Sequence, residues 1–284
     1  MMDFFPLEKC RYAVIGDPID HSLSPQMQNA AFEYHDLGRP YGRLHVTQEN
    51  LPEFFEYARH HLRGVNITIP LKEKAATLVD EIDDSARFCN SVNTLVIDNG
   101  RIKGFSTDGI GLKNAIKESF SLDCRDKTFL LIGAGGAAVA AAFALADDRA
   151  KAVFIVNRSV EKARILAEKI SAFRPEIQVC YASTADQESF ESFFDQSDIL
   201  LHSTALGWHD GDPSPVKLPE NPANKPLLFD LVYRDNALQQ QAREIGMKTA
   251  DGSSMLVYQG AASFELWTGL PAPVEIMKQA LRSK

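Results

Sequence analysis

Residues 128–146 place the tightest constraint on this chain. Thr128 to Ile132 is a short apolar run rich in β-formers. Gly133-Ala134-Gly135-Gly136 follows at once, and an alanine-rich stretch continues to Ala146. A strand, a glycine turn and a buried helix explain this order. Phe129 to Ala146 carries no charged side chain and approaches the ~20 apolar residues of a membrane span. Its central glycines and weakly apolar alanines argue for a buried strand–turn–helix unit instead. The turn fits G-x-G-x-x-A. Gly133 makes the tight turn, Gly135 lets a pyrophosphate approach, and Ala138 packs helix on sheet. Ala134, Gly136 and Ala137 complete the loop, whose plain alternative is a structural glycine turn.

The same alternation runs through the rest of the chain. Strands are expected at Arg11 to Ile15, Tyr41 to Thr47 and within Gly64 to Ile69. Further strands are expected at Val92 to Ile97 and Arg101 to Phe105, flanking the hairpin signal Asn99-Gly100. Helices are expected from Ser24-Pro25 to Leu37, from Leu51 to Leu62 with Asn50 as a possible cap, and from Asp108 to Phe120. After the glycine turn come strand Ala152 to Val156, helix Val160 to Ala172, and strands at Ile177 to Tyr181, Ile199 to His202 and Leu227 to Leu231. Gly207 to Pro226 reads as a surface loop, and the chain after Gly252 as helical. Strands alternating with helices imply open, mainly parallel α/β sheets. A length of 284 residues accommodates two domains.

Composition narrows the function. Charged residues at 24% and hydrophobic residues at 45% suit a soluble globular protein. A net charge of -8 argues against nucleic acid or an anionic membrane as partner. Met1 to Cys10 shows no basic region followed by an apolar core, so no export signal is expected. Cys10, Cys89, Cys124 and Cys180 lack paired spacing, and the seven histidines lack ligand spacing. No disulfide framework and no metal site are expected, and the setting is a reducing, cytoplasmic one.

Three further stretches carry candidate chemistry. Gly64-Val65-Asn66-Ile67-Thr68-Ile69-Pro70-Leu71-Lys72 reads as a strand that turns into a helix, with Asn66 and Thr68 on one face. Lys72 in a first helical turn meets the positive end of the dipole, which disfavours its charged form and suits it to proton exchange; alternatively it is a solvated surface lysine. Ser22 and Ser24 offer hydroxyls beside free helix-terminal amides, a cradle for a carboxylate, although Ser24 could equally be a helix cap. Asp108 could be a cap, or could pair with Lys72 as an acid/base couple. Asn157-Arg158-Ser159, with Lys162 one turn later, stands where an NAD site usually has an acid. The Arg158 guanidinium suits a 2′-phosphate and hence NADP; otherwise it is a loop charge.

These pieces together resemble the shikimate dehydrogenase family along nearly the full chain. The matching residues are Gly16-Asp17-Pro18-Ile19, His21-Ser22-Leu23-Ser24-Pro25, Asn29, and Gly64 to Lys72. Val92-Asn93-Thr94-Leu95-Val96, Gly104 and Thr107-Asp108-Gly109 follow. The glycine loop, Asn157-Arg158-Ser159, Asp230-Leu231-Val232-Tyr233, Gly252, Met255-Leu256-Val257 and Gln259-Gly260-Ala261 complete the series. The resemblance implies an N-terminal substrate domain, residues 1–109 with helices 253–284 returning to it, and a Rossmann-type NADP domain, residues 110–252. It implies an active-site cleft between them and reversible reduction of 3-dehydroshikimate to shikimate by NADPH. Ser22 and Ser24 would bind the carboxylate, and Thr68, Asn93, Tyr233 and Gln259 the ring and its hydroxyls. Lys72 and Asp108 would flank the reacting oxygen, and Leu231 and Gly252 would join the cofactor set. A small-molecule substrate and a monomer or homodimer are expected.

The chain departs from the family pattern at Gln28, Ser106, His202-Ser203-Thr204 (usually Asn-Ala-Thr), Trp208, Arg234-Asp235 and Ser253-Ser254. None removes a proposed catalytic group. A relative acting on quinate or an amino-shikimate-like ring, and a silent sensor of such ligands, are the other readings.

Overall fold

A computed structural model describes residues 7–282. The expectation for the N-terminus therefore lies partly outside the described residues. The chain forms two compact units, one from residues 7–111 with 256–282 and the other Leu112–Met255.

The first unit holds a six-stranded sheet in the order β2-β1-β3-β5-β6-β4. The strands are β1 (Tyr12–Gly16), β2 (Tyr41–His45), β3 (Gly64–Ile67), β4 (Glu81–Ile82), β5 (Thr94–Asp98) and β6 (Arg101–Phe105). β5 runs against its neighbours β3 and β6, and the other pairings are parallel. Asn99 and Gly100 both take positive φ, 49° and 78°, the conformation a two-residue hairpin needs to match strand twist.

Side-chain alternation along β1 and β3 feeds two cores. Ala13, Ile15, Val65 and Ile67 pack with Leu51, Phe54, Phe55 and Ala58 of α2 (Leu51–His61) and with Leu71 and Ala75 around the five-residue α3 (Lys72–Ala76). Val14 joins Met27, Ala31 and Phe32 of α1 (Ser24–Tyr34). Val257, Ala261 and Phe264 of α10 (Ser253–Thr268) and Met277 of α11 (Val274–Arg282) complete that core. The C-terminal helices thus return to the first sheet, as expected. Each large apolar side chain buried here contributes roughly 1.5–3 kcal/mol.

The second unit holds an all-parallel sheet, β12-β11-β10-β7-β8-β9. Its strands are β7 (Thr128–Ile132), β8 (Ala152–Asn157), β9 (Gln178–Ser183), β10 (Ile199–His202), β11 (Leu227–Asp230) and β12 (Thr249–Ala250). α6 (Gly136–Asp147) and α7 (Val160–Phe173) are the crossovers beside β7 and β8, and α5 (Asp108–Phe120) leads in from the first unit.

Several expectations need correction. α1 ends at Tyr34, and Leu23, not Ser24, stands at its cap position; Ser24 is its first residue. Asn50 makes no side-chain capping bond. β3 stops at Ile67, and Ile69 is 68% exposed. Within β3, the polar Asn66 is buried along with its apolar neighbours, which no expectation addressed. Five elements have no counterpart among the expected ones: β4, α4 (Asp84–Arg87), α8 (Gln187–Gln196), α9 (Ala237–Glu244) and β12. No helix among the described residues is long and apolar enough to cross a membrane.

Candidate active site

The antiparallel turn of β5 decides where the polar residues gather. β1, β3 and β6 run one way, so their carboxyl ends share an edge, and the start of the reversed β5 joins that edge. Ser22 and Ser24 follow β1, Thr68 and Lys72 follow β3, Asn93 precedes β5, and Thr107 and Asp108 follow β6. Seven of the eight substrate candidates belong to this unit; Tyr233 belongs to the other.

Lys72 and Asp108 meet. Lys72 Nζ donates to Asp108 Oδ2 at 2.6 Å, with side-chain exposures of 23% and 12%. Asp108 opens α5 but spends its carboxylate on this pair and on Asn93, whose Nδ2 donates to Oδ1 at 2.7 Å. Lys72 thus touches a carboxylate while standing first in a five-residue helix.

Asn93 is oriented without ambiguity. Its Oδ1 accepts the Thr107 backbone N–H at 2.8 Å, and a carboxylate oxygen can only accept from its Nδ2. Nδ2 also donates to Thr107 Oγ1 at 3.0 Å. The Asn93 amide is thus largely committed to holding Asp108.

A buried network that the sequence did not reveal stands behind it. Asn66 Nδ2 donates to Thr94 Oγ1 at 3.1 Å and to Ser263 Oγ on α10 at 3.0 Å. Asn66 Oδ1 accepts the Tyr41 hydroxyl at 2.7 Å. Ser263 Oγ lies 2.8 Å from Thr94 Oγ1 and 3.2 Å from Thr107 Oγ1, and donates to the Gln259 carbonyl at 3.0 Å. Burial pushes the Tyr41 phenol well above its ordinary pKa, partly offset by the Ser24 hydroxyl. Polar contacts therefore run unbroken from Tyr41 through Asn66 and Thr94 to Asn93, Asp108 and Lys72.

The remaining candidates of this unit are close by in the fold. Ser22 Oγ accepts the Ser24 backbone N–H at 3.3 Å, which leaves its own proton to donate. Gln259 lies directly on Gly111 of α5, where an added Cβ would come within 2.8 Å of the Gln259 Cβ. Of the departures, Gln28 donates from Nε2 to the Gly260 carbonyl at 2.8 Å, and its buried Oε1 has no partner among the described residues.

The second unit supplies the cofactor candidates. Gly133 has φ of 120°, a conformation that side chains disfavour. Gly135 and Gly136 are exposed at the start of α6, and a Cβ added to either meets nothing within 4 Å. Ala138 is fully buried against the sheet. Free helix-terminal amides with open space before them fit a pyrophosphate. Asn157 donates from Nδ2 to the Ser159 carbonyl at 2.9 Å, shaping the turn that carries Arg158. Arg158 and Lys162 are exposed and form no ion pair among the described residues. Gly252 abuts the Leu231 carbonyl so closely that a Cβ would lie 2.2 Å from its oxygen. Tyr233 packs edge-on against Trp208 at 4.7 Å, and Arg234 donates to the Trp208 carbonyl at 2.7 Å. Two departures thus support a third residue of the candidate set. No metal-binding group of acids, cysteines or histidines occurs among the described residues.

Three family models match in sequence order. A model of the shikimate dehydrogenase substrate binding domain matches residues 14–95. The shikimate / quinate 5-dehydrogenase model matches residues 114–231, and the shikimate 5'-dehydrogenase C-terminal domain model residues 252–282. The shikimate dehydrogenase (NADP(+)) of Methanothrix thermoacetophila is 39% identical over 275 residues, covering 96% of each chain. A Thermus thermophilus shikimate 5-dehydrogenase structure, in complex with NADP(H) and shikimate, gives a TM-score of 0.84 at 33% identity, over 96% of this chain and 98% of that one. A Listeria monocytogenes shikimate 5-dehydrogenase, in complex with shikimate and NAD, gives 0.87 at 31% identity over 96% of each chain. With two matching sheets, a matched order of motifs and relatives alike over nearly their whole length, the chain belongs to the shikimate dehydrogenase family.

Proposed function

We propose that this chain catalyses the reversible NADPH-dependent reduction of 3-dehydroshikimate to shikimate. The first unit binds the substrate and the second the cofactor. NADPH, when bound, supplies a hydride to the substrate carbonyl carbon. The Lys72–Asp108 pair is the observation that carries the reading. As hydride reaches carbon, negative charge develops on the carbonyl oxygen. The Lys72 ammonium has three donors and spends one on Asp108, so it can stabilise that charge and deliver the proton. Asp108 aims the ammonium, and Asn93 aims Asp108. In the reverse direction Lys72 accepts the hydroxyl proton. Ser22 and Ser24 donate to the substrate carboxylate, and Thr68, Gln259 and Tyr233 hold the ring. In the second unit, Gly133 to Ala137, Leu231 and Gly252 bind the dinucleotide, and Asn157, Arg158, Ser159 and Lys162 its 2′-phosphate. Four cysteines outside any disulfide support a reducing, cytoplasmic setting.

The experiment follows NADP and NAD reduction with shikimate and with quinate side by side. Fastest turnover with shikimate and NADP is expected. Preference for quinate would contradict the substrate assignment. Ligand-induced stabilisation without turnover by any pair would contradict catalysis.

A further inference from the structure

His202 belongs to none of the roles above, yet it sits at a decisive place. It is the last residue of β10, in register with Ile132 at the end of β7 on one side and Asp230 at the end of β11 on the other. In the order β12-β11-β10-β7-β8-β9 the connectivity reverses between β10 and β7. Open α/β sheets bind ligands at the carboxyl ends of the strands beside such a reversal.

Both ring nitrogens of His202 have partners. Nδ1 lies 2.8 Å from Asp230 Oδ1, with both side chains wholly buried. A carboxylate only accepts, so Nδ1 carries the hydrogen. Nε2 lies 2.7 Å from Thr204 Oγ1, which also accepts the Leu206 backbone N–H at 3.2 Å. Asp230 gathers the β11 side. It accepts the Val232 N–H at 2.9 Å, Asn236 Nδ2 at 2.8 Å and Gln239 Nε2 at 3.0 Å. Ser203, the next residue, donates from Oγ to the Ile132 carbonyl at 2.8 Å and lies against Gly133. One imidazole therefore joins the segment after β10 to the segment after β11, while its neighbour ties both to the glycine turn.

We propose that His202 is a positioning residue for dinucleotide binding: it fixes the two strand-end segments on the β11 side of the glycine turn, including Leu231, in the arrangement the cofactor requires. The ring's two nitrogens, on opposite sides, bridge Asp230 and Thr204, a two-sided bridge that a shorter amide side chain does not duplicate. The inference rests on the NADP reading given above.

Equilibrium titration of NADPH fluorescence on the whole chain tests it, beside steady-state constants for shikimate. His202→Phe keeps the flat bulk and removes both nitrogens. Its NADPH Kd is expected to rise about tenfold, as for loss of a buried hydrogen-bond partner, with the shikimate KM unchanged. His202→Asn should recover to within about threefold of wild type, because its amide still donates to Asp230. An unchanged NADPH Kd in folded His202→Phe overturns the proposal, as does an equal loss of affinity for both ligands. If His202→Phe does not fold, Thr204→Val decides, since it removes only the Nε2 partner. A rise of about threefold in NADPH Kd supports the bridge, and no change overturns it. If the wild-type chain binds no NADPH, the cofactor reading itself falls and takes this inference with it.

Discussion

Each unit carries a carboxylate paired with a basic side chain at the edge where its strands end, and the two pairs are built oppositely. Lys72–Asp108 is partly open, with exposures of 23% and 12%, and its ammonium keeps donors to spare. His202–Asp230 is sealed at 0% and 0%, and Asp230 alone takes four donors. A group that exchanges a proton with substrate must be reachable and must have unused valence. A group whose valences are all spent inside the protein serves geometry instead. A carboxylate beside a basic side chain does not by itself mark an active site; exposure and spare hydrogen-bonding capacity separate the two cases.

The contrast predicts different consequences for the same chemical change. Asp108→Asn should lower kcat by about 10²–10³, within the range for acid/base groups, because the amide no longer holds Lys72 by charge. Steady-state kinetics check this, and an unchanged kcat would put both pairs in the structural class. Asp230→Asn should act chiefly on stability, lowering it by about 2–4 kcal/mol through loss of a buried, multiply bonded carboxylate. A thermal melt reads that effect, and an unshifted midpoint would break the comparison from the other side. Arg158→Ala should raise the KM for NADPH about tenfold and leave that for NADH unchanged, as expected for a guanidinium serving a phosphate. Ser22→Ala should raise the shikimate KM about threefold to tenfold, the loss of one hydrogen bond to a charged group, with kcat nearly constant. A pure kcat effect would contradict the carboxylate role.

The sequence was most legible where local rules dominate. The Asn99-Gly100 hairpin, the glycine turn and the bounds of α5, β7 and β10 all follow from turn chemistry and apolar runs. The two longer missed helices did carry signals. Asp186 caps α8 by accepting from Ser189 N, with Phe190 and Phe194 buried four residues apart. Asn236 caps α9 in the same way, before Leu238 and Ala242. Their intervening polar residues masked the period. β12, with two residues at the sheet edge, offers too short a pattern to detect.

In the site, Lys72 and Asp108 were named from charge and motif, but the network behind them was not. Asn66 meets Ser263 across 197 residues of sequence, and no local pattern specifies such a contact. Asn66 alternates with Val65 and Ile67 as expected, but a central strand covered on both faces has no solvent side for a polar residue. There the amide is tolerated because Tyr41, Thr94 and Ser263 satisfy it.

The central claim is that Lys72 is the proton donor and oxyanion partner. It is tested most directly by measuring kcat and shikimate affinity together in Lys72→Ala. A fall in kcat of about 10²–10⁴, with shikimate binding within a few-fold of wild type, is the predicted result. An unchanged turnover number would contradict it.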